Sequence, residues 1–232
     1  MIFKQWRVQA ERGNWLWLVV EFFVLVVGFL VSLQVNDWQD SRSERELESE
    51  YLDRLLVDFE QSRVQLTESV DRMSAMLRTL ETGMNLLSEP ELTEAQHQLI
   101  FDAVGVAGIF GQFDIVVGTL EELKDTGNMR LIRSKALRVG LGNLWQRYQQ
   151  ILRLSNVRTL YRVEASTQLS DHLYPKKGAS YGWDTESVEN SRRELYSALA
   201  RIRHNQAADI TDSKKLLVLL EENTAIIDSL LQ

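Results

Sequence analysis

The sequence predicts an all-α protein: a single N-terminal transmembrane helix that continues into an antiparallel helical-bundle ectodomain. Three observations carry that reading. Residues 15–35, WLWLVVEFFVLVVGFLVSLQV, are apolar almost throughout. From Leu52 onward, apolar residues recur on a 4–3 spacing for five heptads. The 232 residues hold only two prolines, Pro90 and Pro175, and proline is the strongest helix breaker.

The apolar run comes first. A helix rises ~1.5 Å per residue, so a hydrocarbon core of ~30 Å needs roughly 20 apolar residues. Trp15 and Trp17 lie at one end of the run and Trp38 at the other, the placement of indole rings at two headgroup levels. Lys4, Arg7 and Arg12 precede it against the single acid Glu11, whereas Asp37, Asp40, Glu44, Glu46, Glu48 and Glu50 follow it against Arg42 and Arg45. Positive charge stays on the cytoplasmic side. The expected layout is a cytoplasmic tail over 1–14, a span over 15–38 and an ectodomain over 39–232, in the inner membrane with the C-terminal domain periplasmic or extracellular. A cleaved signal peptide fits the basic start, but Leu33 to Asp37 offers no small-x-small cleavage site, so an uncleaved signal-anchor is the better reading. A buried core helix fits less well, because the run is apolar on every face.

Glu21 is the one charge within the run. An intramembrane carboxylate is a functional-site hypothesis by default, but Glu21 lies near Trp15, where it can reach the cytoplasmic headgroups or stay protonated. Gly28 and Ser32 form a small-xxx-small pair that would let two spans approach closely. Such pairs are common, so they carry little weight for a dimer.

The ectodomain opens with a helix over Asp40 to Glu89, closed by Pro90. Its seam is Leu52, Leu56, Phe59, Leu66, Val70, Met73, Leu77, Leu80, Met84 and Leu87, broken only at Arg63. A 3.5-residue period marks a coiled-coil or bundle seam, satisfied within the chain or between copies. Thr93 with Gln96 reads as a capping box for a helix starting near Glu94 and ending around Gly105, Gly108 and Gly111. The uncharged stretch Ala103 to Phe113 reads as a packed loop or an interfacial dip, being too short to span. Thr119 with Glu122 reads as a second capping box for a helix over 120–126, with Gly127 closing it, and 128–133 as an irregular connector.

Ser134 caps a helix reaching about Tyr174, with Leu137, Leu141, Leu144, Trp145, Tyr148, Ile151, Leu152, Leu160, Val163 and Leu169 on its apolar stripe. Residues 175–187 form a loop. A last helical region covers 188–231, anchored by Leu195, Leu199, Ile202, Leu216, Leu219, Leu220, Ile226, Ile227 and Leu230, with room for a break over Ala208 to Ser213. Each long helix must bury its stripe, and short connections favour antiparallel neighbours.

GFLVSLQVNDW (Gly28 to Trp38) and LEELKDTGNMRLIRSKALR (Leu120 to Arg138), with the pair Tyr51–Leu52 between them, resemble a family of uncharacterised bacterial membrane proteins. That family carries a Leu-Gln-Val/Ile-Asn-Asn/Asp-Trp signature at the end of one N-terminal span and a Glu-Leu-Lys-x-x-Gly-Asn-Leu-Arg-Leu-Ile motif beyond it. Here Met129 stands where leucine is usual. The resemblance implies a domain of unknown function with one span, and no reaction or catalytic residues. In the second motif Gly127 is free to take φ > 0, presenting Asn128 and Arg130 from a tight turn. From there they either bind a partner's carboxylate or lock the turn to the bundle, the structural role being the commoner one.

No catalytic, cofactor or metal constellation rises above background. Glu94 and His97 form one Glu-x-x-His pair, read as a lone exposed pair, where di-iron bundles need two. The other histidines, His172 and His204, make no second pair, cysteine is absent, and no His-Glu-x-x-His occurs, so zinc has no ligand set. The glycines match no phosphate-binding pattern. A net charge of −7 argues against nucleic acid as a partner. The expectation is therefore a non-enzymatic protein needing no cofactor, with the bilayer, a second copy of itself or another membrane protein as partner. The alternatives are a sensor-like bundle signalling through a membrane partner and an enzyme with an unrecognised site around Asn128, Arg130 and the Gly105–Phe113 loop.

Overall fold

The computed structural model describes residues 15–109, 115–175 and 183–232, with side chains at all of them except 15–18 and 31–41. The described residues form six α-helices and one 3₁₀ turn, with no strand beyond an isolated bridge between Pro175 and Trp183. The helices are α1 (Trp15–Leu86), α2 (Glu94–Ala107), α3 (Gly118–Asp125), α4 (Lys135–His172), α5 (Thr185–Asn190) and α6 (Arg192–Leu231), and the 3₁₀ turn is Asn128–Leu131. The chain divides into two units, Met1–Glu50 and Tyr51–Gln232.

Among the described residues, no helix is long and apolar enough to cross a membrane. The expected span runs past them: the side chains of Trp15, Trp17, Ser32 and Trp38 lie outside the described residues, as do residues 1–14. Within residues 19–30, every side chain is exposed. Phe22, Phe23, Val24 and Leu25 are each about two-thirds exposed at consecutive positions, and four consecutive residues cover a full helical turn.

The second unit is a bundle. The seam of α1 is buried inside this one chain: Leu52, Phe59, Leu66, Val70, Met73, Leu80, Met84 and Leu87 are all core residues, with Leu56 and Leu77 packed against them. The seam therefore closes within the chain. The series is broken at Arg63 as expected, and Ser62, three beyond Phe59 and four before Leu66, takes the inward place there. Ser62 is fully buried, whereas Arg63 is exposed and pairs with Glu60 at 2.6 Å.

Two apolar clusters stack along the bundle. One joins Tyr51 to Leu66 of α1 with Leu137 to Ile151 of α4 and Leu216 to Ile227 of α6. The other joins Leu80 and Met84 of α1, and Leu87 just beyond its end, with Ala165 and Leu169 of α4, Leu195 to Ile202 of α6, and α2. α6 thus runs antiparallel to both α1 and α4, while α1 and α4 run the same way. The expected all-antiparallel order fails there because α2 and α3 carry the chain back between them. α2 lies tight on α1: a Cβ on Gly83 would stand 2.4 Å from the Ala103 Cβ.

Local signals set several boundaries. The Thr93–Gln96 capping box forms as expected, as does the Ser134 cap on the Leu137 N–H at 3.2 Å. Gly105 stays inside α2, which ends at Ala107 with Gly108 as its cap. Ala103, Val104 and Ala107 are buried, so the start of the uncharged stretch is packed, while residues 110–114, with Phe110, Gly111 and Phe113, lie outside the described residues. α5 begins at Thr185, inside the expected loop, of which 176–182 lie outside the described residues. α6 runs through Ala208 to Ser213 without a break. On α4, Leu160 and Val163 are exposed rather than core, because Arg162 takes the inward position between them.

His97 is likewise not an exposed pair with Glu94. It is buried, with Nδ1 3.0 Å from the Thr93 carbonyl and Nε2 2.9 Å from the Glu189 carboxylate of α5.

Candidate functional site

The turn that the sequence singled out is built from α3, the 3₁₀ turn and the start of the bundle part of α1. Gly127 adopts φ +73°, the left-handed conformation that ends a helix most cheaply with glycine, and it is the sole positive-φ residue among those described. Asn128 then donates from Nδ2 to the Tyr51 hydroxyl at 2.9 Å, and that hydroxyl donates to Glu122 Oε1 at 2.9 Å. Arg54, one turn along α1 from Tyr51, closes on both oxygens of the same carboxylate, Nη1 at 3.3 Å and Nη2 in shorter contact. The guanidinium also lies 5.4 Å from the Tyr51 ring centre.

This arrangement corrects the local reading of Glu122. Its side chain does not cap its own helix; it faces α1. The Arg54 hydrogen bond and then the Tyr51 hydroxyl hold its carboxyl below the usual carboxylate range. The cap on α3 comes from α1 instead: Asp58 Oδ2 accepts the Thr119 N–H at 3.0 Å, and Ser62 Oγ accepts the Val116 N–H at 2.9 Å. α3 accordingly begins at Gly118, with Thr119 buried and no capping box of its own.

The remaining residues of the motif have structural partners. Leu123, Leu131 and Ile132 are core, Met129 packs against them, and the Lys124 ammonium sits 3.4 Å from the Trp145 ring centre as a cation–π contact. Arg130 is the exception. It is exposed and has no hydrogen-bond or ion-pair partner among the described residues. The structure therefore brings Gly127 and Asn128 together with Tyr51, Arg54 and Glu122, and leaves Arg130 outside that network. Glu21 and Gly28 lie in the exposed apolar part of α1, in the other unit, and nothing approaches a Cβ on Gly28 within 4 Å.

A second polar constellation escaped the sequence reading. Between the two apolar clusters, α4 and α6 contribute a buried charged layer. Arg162 Nη1 meets Asp209 Oδ2 at 2.7 Å, and Arg158 bridges Asp209 Oδ1 at 2.7 Å and Asp212 Oδ2 at 2.8 Å. Arg147 Nη2 reaches Asp212 Oδ1 at 3.1 Å, and Gln206 Nε2 donates to the Met73 carbonyl of α1 at 2.8 Å. Burial disfavours the charge on Arg158, but its bonds to Asp209 and Asp212 outweigh that and hold it above its ordinary range. The available signal was spacing: Arg158 and Arg162 stand four apart and Asp209 and Asp212 three apart, each pair on one helix face.

No family model, curated protein or solved structure matches the chain. Its chemistry has to be argued from these residues. Among the described residues no group of three or more His, Asp or Glu side chains is placed to hold a metal ion. The turn network ties Tyr51, Arg54, Glu122 and Asn128 to one another, which suits a staple between helices. The charged layer pairs cations with anions inside the bundle, which suits fixing helix register.

Proposed function

We propose that this chain is a single-pass inner-membrane protein, its N-terminus cytoplasmic, whose helical bundle on the far side binds or scaffolds a partner without performing chemistry. The observation that carries the reading is the exposure of residues 19–30 on every face of α1. A helix apolar all round needs an apolar surrounding, and a bilayer supplies one over its whole length. Residues 15–35 contain fifteen Leu, Val and Phe, together worth roughly −4 to −9 kcal/mol on insertion scales, against a few kcal/mol for the one carboxylate, Glu21. The charge asymmetry around the run supports the stated orientation. So does the resemblance of the Gly28–Trp38 and Leu120–Arg138 stretches to single-span bacterial membrane proteins.

The non-catalytic part of the reading is supported by how the polar residues are used. Tyr51, Arg54, Glu122, Asn128, Arg158, Arg162, Asp209 and Asp212 are engaged with one another. The α1 seam is consumed inside the chain, so a partner must use other surfaces.

Paired reporters fused after Gln232 test the topology, one active only outside the cytoplasm and one fluorescent only inside it. An outside signal is expected. An inside signal would overturn the orientation, and equal soluble recovery of the fusion without detergent would overturn the anchor itself. Affinity capture after mild extraction should then recover a reproducible membrane-associated partner; a solitary monomer would count against the scaffold reading.

A further inference from the structure

α4 and α6 flank an open groove of about 950 Å³ on the outside of the bundle, lined by Tyr161, Glu164, Arg193, Tyr196, Arg201 and His204 among others. Its composition departs from the acidic average of the chain. Two guanidinium groups and an imidazole face one carboxylate there, in a protein of net charge −7. Glu164 reaches Arg201 only at 4.0 Å, with both side chains more than half exposed, so that pair contributes little.

Arg193 has no hydrogen-bond or ion-pair partner among the described residues, and His204 has none either. The contrast with their neighbours is informative. Arg192 pairs with Glu189 at 2.5 Å, and Arg203 pairs with Glu81 at 2.7 Å. α6 thus turns one set of arginines to acids on α5 and α1 and leaves another lining the groove. The two tyrosines lining the same groove, Tyr161 and Tyr196, are 56% and 43% exposed, which is large for side chains that gain from burying an aromatic ring.

We propose that this groove binds a small organic anion with an aromatic body, its charged end held by Arg193 and Arg201 and its ring lying against Tyr161 and Tyr196. A guanidinium fork matches a carboxylate or phosphate in shape and charge, and small-molecule sites commonly have volumes of about 300–1,000 Å³. The groove lies wholly in the Tyr51–Gln232 unit, so this inference stands whether or not the first unit crosses a membrane.

The test uses the full chain in detergent, with phenyl phosphate and benzoate as probes followed by ligand-observed NMR titration. Benzyl alcohol supplies the ring without the charge, and inorganic phosphate the charge without the ring. At least one aromatic anion is expected to bind about tenfold more tightly than either control, or by ~1.4 kcal/mol. Arg193→Gln and Tyr196→Ala should each weaken it by about that factor, Tyr196→Phe should retain it, and Arg203→Gln, which alters an arginine paired elsewhere, should leave it unchanged. Neither anion exceeding the controls would overturn the proposal. So would equal loss in Arg193→Gln and Arg203→Gln, which would mark general surface charge as the cause.

Discussion

Arg162 Nη1 lies 2.7 Å from Asp209 Oδ2, and both side chains are almost wholly buried between α4 and α6. With Arg158 and Asp212 this pair forms a charged layer where the bundle passes from one apolar cluster to the other. Buried ion pairs seldom add net stability over apolar residues, but each constrains its partner strongly, since the lone survivor is an uncompensated buried charge. The layer therefore fixes which turn of α6 faces which turn of α4.

Asp209→Ala should accordingly be severe. It takes the Asp209 carboxylate away from the buried Arg162 guanidinium and removes one of the two acids from Arg158, so a loss of about 3–5 kcal/mol is expected. Thermal unfolding of the purified chain measures it. A loss near zero would mean the layer is solvated in solution and does not set the register.

Gly83 and Ala103 make a second, purely steric prediction. A Cβ on Gly83 would sit 2.4 Å from that of Ala103, both in helix backbones that cannot yield cheaply. Gly83→Ala should cost about 1–3 kcal/mol by overpacking. Adding Ala103→Gly should restore part of that loss, giving a favourable coupling in a double-mutant cycle despite glycine's poor helix propensity. Strict additivity would separate α2 from α1 at this point.

The Glu122 carboxyl is held below the usual carboxylate range by Arg54 and then Tyr51. The unfolded chain therefore takes up its proton at higher pH than the folded one. The stabilisation is present above the ordinary glutamate value of about 4.3, and is lost as pH falls through the lowered folded value. Wild type should be more stable than Glu122→Gln at neutral pH, and the gap should narrow on acidification below about pH 4. Unfolding curves of both proteins across that range check it. A gap that widens on acidification would show the sign to be wrong.

Gly127 carries the left-handed turn. Gly127→Ala should cost about 1–2 kcal/mol through backbone strain alone, because a Cβ there meets nothing within 4 Å. Gly127→Asn should cost less, as asparagine tolerates that conformation. Equal melting temperatures for the two variants would point to a cause other than φ.

Much of the secondary structure could be read residue by residue from the sequence. Thr93 with Gln96, Ser134, Gly127 and the 4–3 spacing from Leu52 each act within one or two helical turns, and each forms as the spacing requires. The errors share a cause. Glu122 had a plausible local partner in Thr119 but bonds to Tyr51 and Arg54, some seventy residues away in sequence. Leu160 and Val163 continued an apolar stripe by composition, yet Arg162 between them turns inward because Asp209 waits on the facing helix. The stretch Ala208 to Ser213 left room for a break, and it instead holds Asp209 and Asp212, the acids that neutralise those arginines.

The sequence by itself determined the long helices, the caps at Thr93 and Ser134 and the apolar run near the N-terminus, because hydrogen bonding, capping and helical periodicity act over a few residues. Tertiary structure alone decided that the α1 seam closes inside one chain, that Ser62 and Asp58 cap another helix, and that a charged layer divides the core. Those outcomes depend on which helix faces meet, and faces are matched by packing and by partners 47–133 residues apart in the chain, a separation at which no local pattern survives.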